Sequence, residues 1–356
     1  MSVISKPSAP VGLDGEEHES LLKRLTNLQS VWILGVLVVI VAFFAIKGGG
    51  KFFSADNFSQ ISQNISVLAI LGVGMTFIII TSGIDLSVGS VLVFASVISA
   101  QVIQAMGGSS GGAITVGVLA GLVAGGAWGF VNGFLVAKAK VPPFIVTLGT
   151  LSAALGLAQV RTSGLNITLD DSSLTDFGIY TRVLGIPALP FVALIVVILG
   201  GILLHRTKFG RYTYAIGSNA EAARRVGVKV DKHLILVYSF AGVLAGIGGA
   251  LYLAQYGTTT IAGQSLTNLN VIAAVVIGGT SVFGGEGSMF GTIVGLFIPA
   301  VLQSGFVIIG VQPFWQGVAV GIVLIAAVYI DQTRRAAALR GAKSSKRLGK
   351  QPSGRK

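Results

Sequence analysis

Few residues in this chain could carry covalent chemistry. Cysteine is absent, which removes disulfides, thiol nucleophiles and thiolate metal sites; the three histidines, His18, His205 and His233, show no HExxH spacing. No GxxxxGK[ST] string occurs, and glycine-rich stretches such as 284–287 lack the strand–turn–helix setting of a phosphate loop. What remains is recognition. The polar stretch 207–232, TKFGRYTYAIGSNAEAARRVGVKVDK, sets Lys208, Arg211, Arg224, Arg225, Lys229 and Lys232 against two acids, Glu221 and Asp231. Within it NAEAARRVGV reads as a short helix. Ser218 or Asn219 caps its start, Glu221 complements the positive helix end, Arg224 and Arg225 fall near its C-terminal end, and Gly227 stops it. So short a helix is marginal in isolation and should dock on something.

Two further acids stand beside apolar runs. Asp85, in SGIDLSVGS with Gly89, is expected to be the N-cap of the helix that follows, its carboxylate accepting backbone N–H bonds. Glu286, in GGTSVFGGEGS, is read as a similar turn residue. Either could instead touch a partner on that side. The two turns share a pattern that suggests an internal duplication.

The elements that must position these residues are membrane spans. At 53% hydrophobic, 11% charged, 50 glycines and a mean hydropathy of +0.83, the composition is that of an integral membrane protein. Ten apolar runs are long enough, or nearly so, to cross about 30 Å of hydrocarbon: 31–46, 65–82, 86–106, 113–137, 144–160, 187–204, 233–256, 269–283, 288–309 and 313–330. The first and eighth are short and could be broken or re-entrant. The fold class is therefore all-α and polytopic, with about ten transmembrane helices. The chain divides into an N-terminal segment 1–30, a membrane domain 31–330 and a basic tail 331–356 that reads as disordered and drawn to anionic lipid. No signal peptide is expected. With both termini in the cytoplasm, 21 of the 25 Lys and Arg lie on the inner side, as the positive-inside rule demands. The segment 161–186, with Asp170, Asp171 and Asp176, is then an outer, exposed polar loop. The tail lacks the aromatic interleaving of a nucleic-acid binder.

Glycines 117, 121, 125, 129 and 133, and again 287, 291 and 295, recur every fourth residue and form ridges on which neighbouring helix backbones can touch. Charges inside the spans are almost absent, which argues against an ion pump or proton relay. A neutral polar solute would need amides, hydroxyls and aromatic faces. Candidates are Asn64, Gln101, Asn132, Thr147, Gln255, Asn268, Asn270, Gln303 and Gln312, with Phe77, Phe144, Phe306 and Trp315, each of which could equally be an interhelical hydrogen bond or an interface anchor.

Four segments in order, TFIIITSGIDLSVGSVL, VPPFIVTLGTL, TKFGRYTYAIGSNAEAARRVGV and VIGGTSVFGGEGSMFGTIVG, resemble the signatures of bacterial ABC-importer permeases for monosaccharides of the ribose, xylose, arabinose and galactoside type. The likeness runs from about residue 57 to 331. It implies a transport subunit rather than an enzyme, paired with a second permease, a cytoplasmic two-module ATPase and an extracytoplasmic sugar-binding protein. ATP and Mg would be bound by the ATPase, with no cofactor on this chain. By position, Glu221, Ala222, Ala223 and Gly227 match the element that docks on the ATPase, although the I-x-LP continuation of other importer classes is missing. Permeases for branched-chain amino acids or a furanosyl signalling molecule would share this architecture. A secondary transporter, or a membrane enzyme for which no polar catalytic cluster is visible, is the different-class alternative.

Overall fold

The computed structural model describes residues 29–312, except 109, 170–172 and 262–265, and some positions between 314 and 333. His18, Asp170, Asp171, most of the N-terminal segment and the basic tail lie outside the described residues. Helices dominate: α1 Gln29–Phe52, α2 Ala55–Ile80, α3 Val88–Ala105, α4 Gly111–Ala137, α5 Pro143–Thr162, α6 Ser173–Ile179, α7 Ala188–Arg206, α8 Lys208–Arg225, α9 Val230–Tyr256, α10 Thr267–Ile277 and α11 Met289–Ile308. A two-residue hairpin, β1 Arg182–Val183 with β2 Ile186–Pro187, precedes α7.

Local chemistry sets most of the starts. The hydroxyls of Ser54, Ser110 and Ser288 accept the N–H of Asn57, Ala113 and Gly291, capping α2, α4 and α11. Proline opens α5 at Pro143, and Gly257 (φ 65°) ends α9 in the left-handed region. Among the described residues, eight helices are long and apolar enough to cross a membrane; the tenth apolar run is described only in part. The eighth apolar run is not one of these helices. Its helix, α10, has 11 residues, and at 1.5 Å per residue it reaches about half of the hydrocarbon thickness. The run breaks at Gly279 (φ 91°), where the chain turns back towards α11. The first run is longer than its sequence implied: α1 continues through the KGGGK stretch and bends at Gly49 (φ 55°).

The helices surround α2, whose Ile70, Val73, Phe77 and Ile79 are fully buried. Both glycine ridges are seams. Along α4, Gly117 and Gly121 lie on α3 at Ile103 and Ser99, whereas Gly125, Gly129 and Gly133 lie directly on the α9 backbone at Gly242, Gly246, Tyr238 and Ile235. In α11, Gly291 and Gly295 take Gly278 and Ala274 of α10 in the same way. The turns after α2 and α10 meet at the end of the bundle that carries the basic residues. The Gly285 N–H donates to the Ile80 carbonyl at 2.9 Å, and the Ser82 hydroxyl donates to the Phe283 carbonyl at 2.9 Å.

At the opposite end, the segment expected to be an exposed loop is exposed over most of its described length and is pinned to the fold at a few buried positions. Leu169 and Leu174 are buried, and α6 lays Gly178 on Ala254 of α9. The Leu169 N–H donates to Gly257 O at 2.7 Å and Thr259 N–H to Ile167 O at 2.9 Å, tying this loop to the chain that leaves α9.

Candidate functional site

The basic stretch forms α8, a helix that begins at Lys208 and breaks at Asn219 (φ −164°, ψ 100°). The Thr207 hydroxyl caps its first part. At the break, Asn219 Oδ1 accepts the Ala222 N–H at 2.9 Å, so Asn219 rather than Ser218 caps the second part. Gly227 (φ 88°) stops it in a conformation that a Cβ disfavours.

Ser218, Asn219, Glu221, Ala222, Arg224 and Gly227 are exposed, and Val226 is 81% exposed, so this segment presents an outward face with an apolar tip. Ala223 faces the other way, buried among Ile216, Val230, Val228 and Leu234, and anchors the segment to the bundle. Glu221 pairs with Arg225 at 2.6 Å, one turn on. Asp231, at the start of α9, receives Lys140 Nζ at 3.0 Å, Arg224 Nη2 at 3.0 Å and Lys138 Nζ at 3.5 Å. One carboxylate thus gathers the ends of α4, α8 and α9. Such exposed pairs are worth only about 0.2–1 kcal/mol each, so their main effect is to fix orientation.

The break in α8 rests on both turns. Gly217 sits against Ile80 O and Gly285 N so closely that no Cβ fits, and Ser82 Oγ donates to Gly217 O at 3.3 Å. The Tyr214 hydroxyl donates to Gly287 O at 2.7 Å; burial raises the phenol above its ordinary pKa, which keeps it a donor. On the α9 side the Thr213 hydroxyl pairs with His233 Nε2 at 2.9 Å, and His205 Nε2 accepts the Met289 N–H at 3.4 Å. Tyr214, Gly217 and Ser218, just before the break, therefore join α8 to the α2–α3 and α10–α11 turns by direct contacts.

Those turns lead inward to a buried polar chain. Asp85, 5% exposed, accepts both the backbone N–H (2.7 Å) and the hydroxyl (2.6 Å) of Ser87. It does accept a backbone N–H, but α3 starts at Val88 with Ser87 as N-cap, so Asp85 lies two residues too early for the capping role expected of it. Ser87 Oγ in turn accepts from Asn132, whose Oδ1 accepts from Thr150. The first turn of α3 is capped from elsewhere, as the Gly89 N–H donates to Asn268 Oδ1 at the start of α10. Glu286 is exposed, and its carbonyl accepts the Ser281 N–H, as suits a turn residue.

The remaining polar and aromatic candidates are scattered. Asn64 and Gln255 meet at 3.4 Å between α2 and α9. Thr147 is buried and donates to Ile84 O, and Phe77 is enclosed by Phe209 and Phe240. Phe306 packs edge-on against Phe44, Phe144 is exposed, and Asn270 is half-buried on α10. Gln101 pairs with Arg161, and Gln303, Gln312 and Trp315 are exposed. Asn132 and Asn268 take the interhelical role open to them, joining α3 to α4 and α10. Asp231 as a junction and Tyr214 as a tether were hard to read from the chain, because most of their partners are distant in it. The one available signal was an acid set in a run of Lys and Arg.

Residues 57–328 match the family described as "branched-chain amino acid transport system / permease component". The chain is 37% identical over 342 residues to the fructose import permease protein FrcC of Rhizobium meliloti, covering 93% of this chain and 94% of that one. It is 37% identical over 315 residues to the ribose import permease protein RbsC of Escherichia coli K12 (87% and 95%) and 33% identical over 298 residues to the D-allose transport system permease protein AlsC of the same strain (83% and 90%). No solved structure matches the chain. With its eight membrane-length helices and a match that spans most of its length, the chain belongs to this permease family and is a multi-pass transport subunit of the inner membrane.

Proposed function

We propose that this chain imports a monosaccharide, pentose or hexose, as the permease subunit of an ATP-driven transporter. The observation that carries the reading is the exposed, capped segment 219–227, joined through Gly217 and Ser218 to both membrane turns, in a chain whose relatives named above are import permeases for ribose, fructose and allose. Those names favour a sugar over a branched-chain amino acid. Scarce intramembrane charge agrees with a neutral solute and disfavours an ion-coupled carrier.

In this reading both termini and α8 face the cytoplasm, following the distribution of Lys and Arg. A separate two-module ATPase binds ATP and Mg and docks on Ser218, Asn219, Glu221, Ala222, Arg224 and Gly227. Its closure moves α8 as a rigid body, and the movement passes through Gly217 and Tyr214 to the two turns, and from there to α3 and α10. An extracytoplasmic sugar-binding protein delivers the solute at the opposite end. A second permease subunit packs against α5, where Gly149, Ser152 and Gln159 are exposed although polar side chains are poorly solvated by lipid.

The test is uptake of labelled ribose, fructose, allose and leucine in vesicles holding this chain with the ATPase and binding protein of the same transporter. ATP-dependent uptake of one of the sugars, insensitive to ionophores, is expected. Uptake of leucine alone, or sugar uptake abolished by ionophores and indifferent to ATP, refutes the proposal.

A further inference from the structure

We propose that the cleft between α8 and the start of α9 is a binding site for the phosphate group of one anionic phospholipid. The cleft has a volume of about 400 Å³ and is lined by Phe209 and Tyr212 from α8 and by Gly227, Val228, Lys229, Lys232, His233 and Leu236. That volume lies in the range of pockets that hold small ligands, about 300–1,000 Å³.

Three features fix the chemistry of the occupant. First, the charge is uncompensated. Of the basic residues around α8, Lys138, Lys140 and Arg224 share Asp231, and Arg225 has Glu221. Lys229 and Lys232 are exposed and make no ion pair among the described residues. Two free ammonium groups on one cleft attract an anion, and Asp231, the acid in the first turn of α9, is engaged by Lys138, Lys140 and Arg224.

Second, the cleft continues into a partly exposed apolar strip along α9. Lys232, Leu236, Phe240, Val243 and Ile247 follow one another every three or four residues along one face of α9; Leu236 is 46% exposed and the next three are half-buried. An acyl chain could run up this face from a headgroup held by the lysines. Third, Tyr212 is 43% exposed at the mouth, an amphipathic ring at the level where the charged and apolar zones meet. A docked acidic protein segment would use the lysines but leave the apolar strip above them unused. A phospholipid uses both. The inference requires only that α9 crosses the bilayer, and it stands independently of the transported solute.

The experiment places the full chain in nanodiscs of phosphatidylcholine containing phosphatidylglycerol, extracts it gently, and measures retained phosphatidylglycerol by native mass spectrometry. Each lysine near a membrane surface strengthens anionic-lipid binding about fivefold, so Lys229→Gln with Lys232→Gln should weaken retention roughly 25-fold. Leu236→Ser should also reduce it, while Lys208→Gln with Arg211→Gln, on α8 and outside the cleft lining, should not. Excess inorganic phosphate should fail to displace the lipid. Three results overturn the proposal: equal lipid retention in the double lysine variant; displacement by inorganic phosphate with no effect of Leu236→Ser; or unchanged retention accompanied by loss of a co-purifying ATPase, which would make the cleft a protein-docking surface. Elution of each variant as a single symmetrical species checks that it is folded.

Discussion

Replacing Gly125 with alanine tests the packing that carries α9, and with it the start of the coupling region. A Cβ at Gly125 would lie inside van der Waals contact of the Gly242 carbonyl, 2.9 Å from Gly246 N and 3.2 Å from Gly246 Cα. All three are backbone atoms of α9 and cannot rotate away. Favourable contact needs about 3.5–4.0 Å, so the two helices must part by up to about 1 Å, which forfeits about a quarter to a half of the dispersion energy of neighbouring contacts along the ridge. Overpacking of this kind costs about 1–3 kcal/mol, partly offset by the gain of about 1 kcal/mol in helix propensity on replacing glycine. A net loss of about 1 kcal/mol, the middle of that range, corresponds to a melting midpoint lower by roughly 2–4 °C. The assay is thermal unfolding of purified protein in detergent, with Gly201→Ala as control, where the added Cβ meets only the Met289 side chain at 3.8 Å. Equal midpoints for the two variants would refute the backbone-contact reasoning. Gly125→Leu should prevent recovery of folded protein.

Other variants probe the site itself. Gly227→Ala forces a side chain into φ 88° and should cost about 1–2 kcal/mol locally, lowering sugar-stimulated ATPase activity more than the melting midpoint; the reverse ranking would count against a role in coupling. Asn268→Ala removes the acceptor for the buried Gly89 N–H and should lower stability by about 1–3 kcal/mol in the same unfolding assay, whereas an unchanged midpoint would mean the cap is replaced. Asp231→Asn leaves Lys138, Lys140 and Arg224 facing one another without their carboxylate. Because these groups are exposed, the destabilisation should stay near 1 kcal/mol and shrink at high salt; a large, salt-independent loss would refute the orienting role given to that cluster.

What the sequence made legible was local or periodic. The fourth-residue glycines predicted close helix seams because a small-residue ridge needs no knowledge of its partner. Asn219 and Gly227 could be read as cap and stop because both rules act within one turn. The first half of α8 was hidden, since Gly210 and Gly217 weaken any helix reading and are required only by close approach to Leu204 and Ile80. Hydropathy carried the eighth run through Gly278 and Gly279 because it registers apolar character and not a left-handed turn. Asp85 was placed as a cap by its spacing, yet the donor at Gly89 is satisfied by a residue 179 positions away. Pathway residues stayed undivided for a related reason: an amide that joins two helices and one that meets a solute have the same composition.

The most direct test of the central claim is co-purification of the chain, extracted from its native membrane in mild detergent, with and without Ala222→Asp. Ala222 is exposed on the 219–227 face, so the substitution should leave the fold intact while placing an unmatched charge on the docking surface. The account predicts that a two-module ATPase is recovered with the unaltered chain and lost with the variant. Equal recovery with both chains would contradict docking through this segment, and failure to recover any ATPase with the unaltered chain would contradict ATP-driven import.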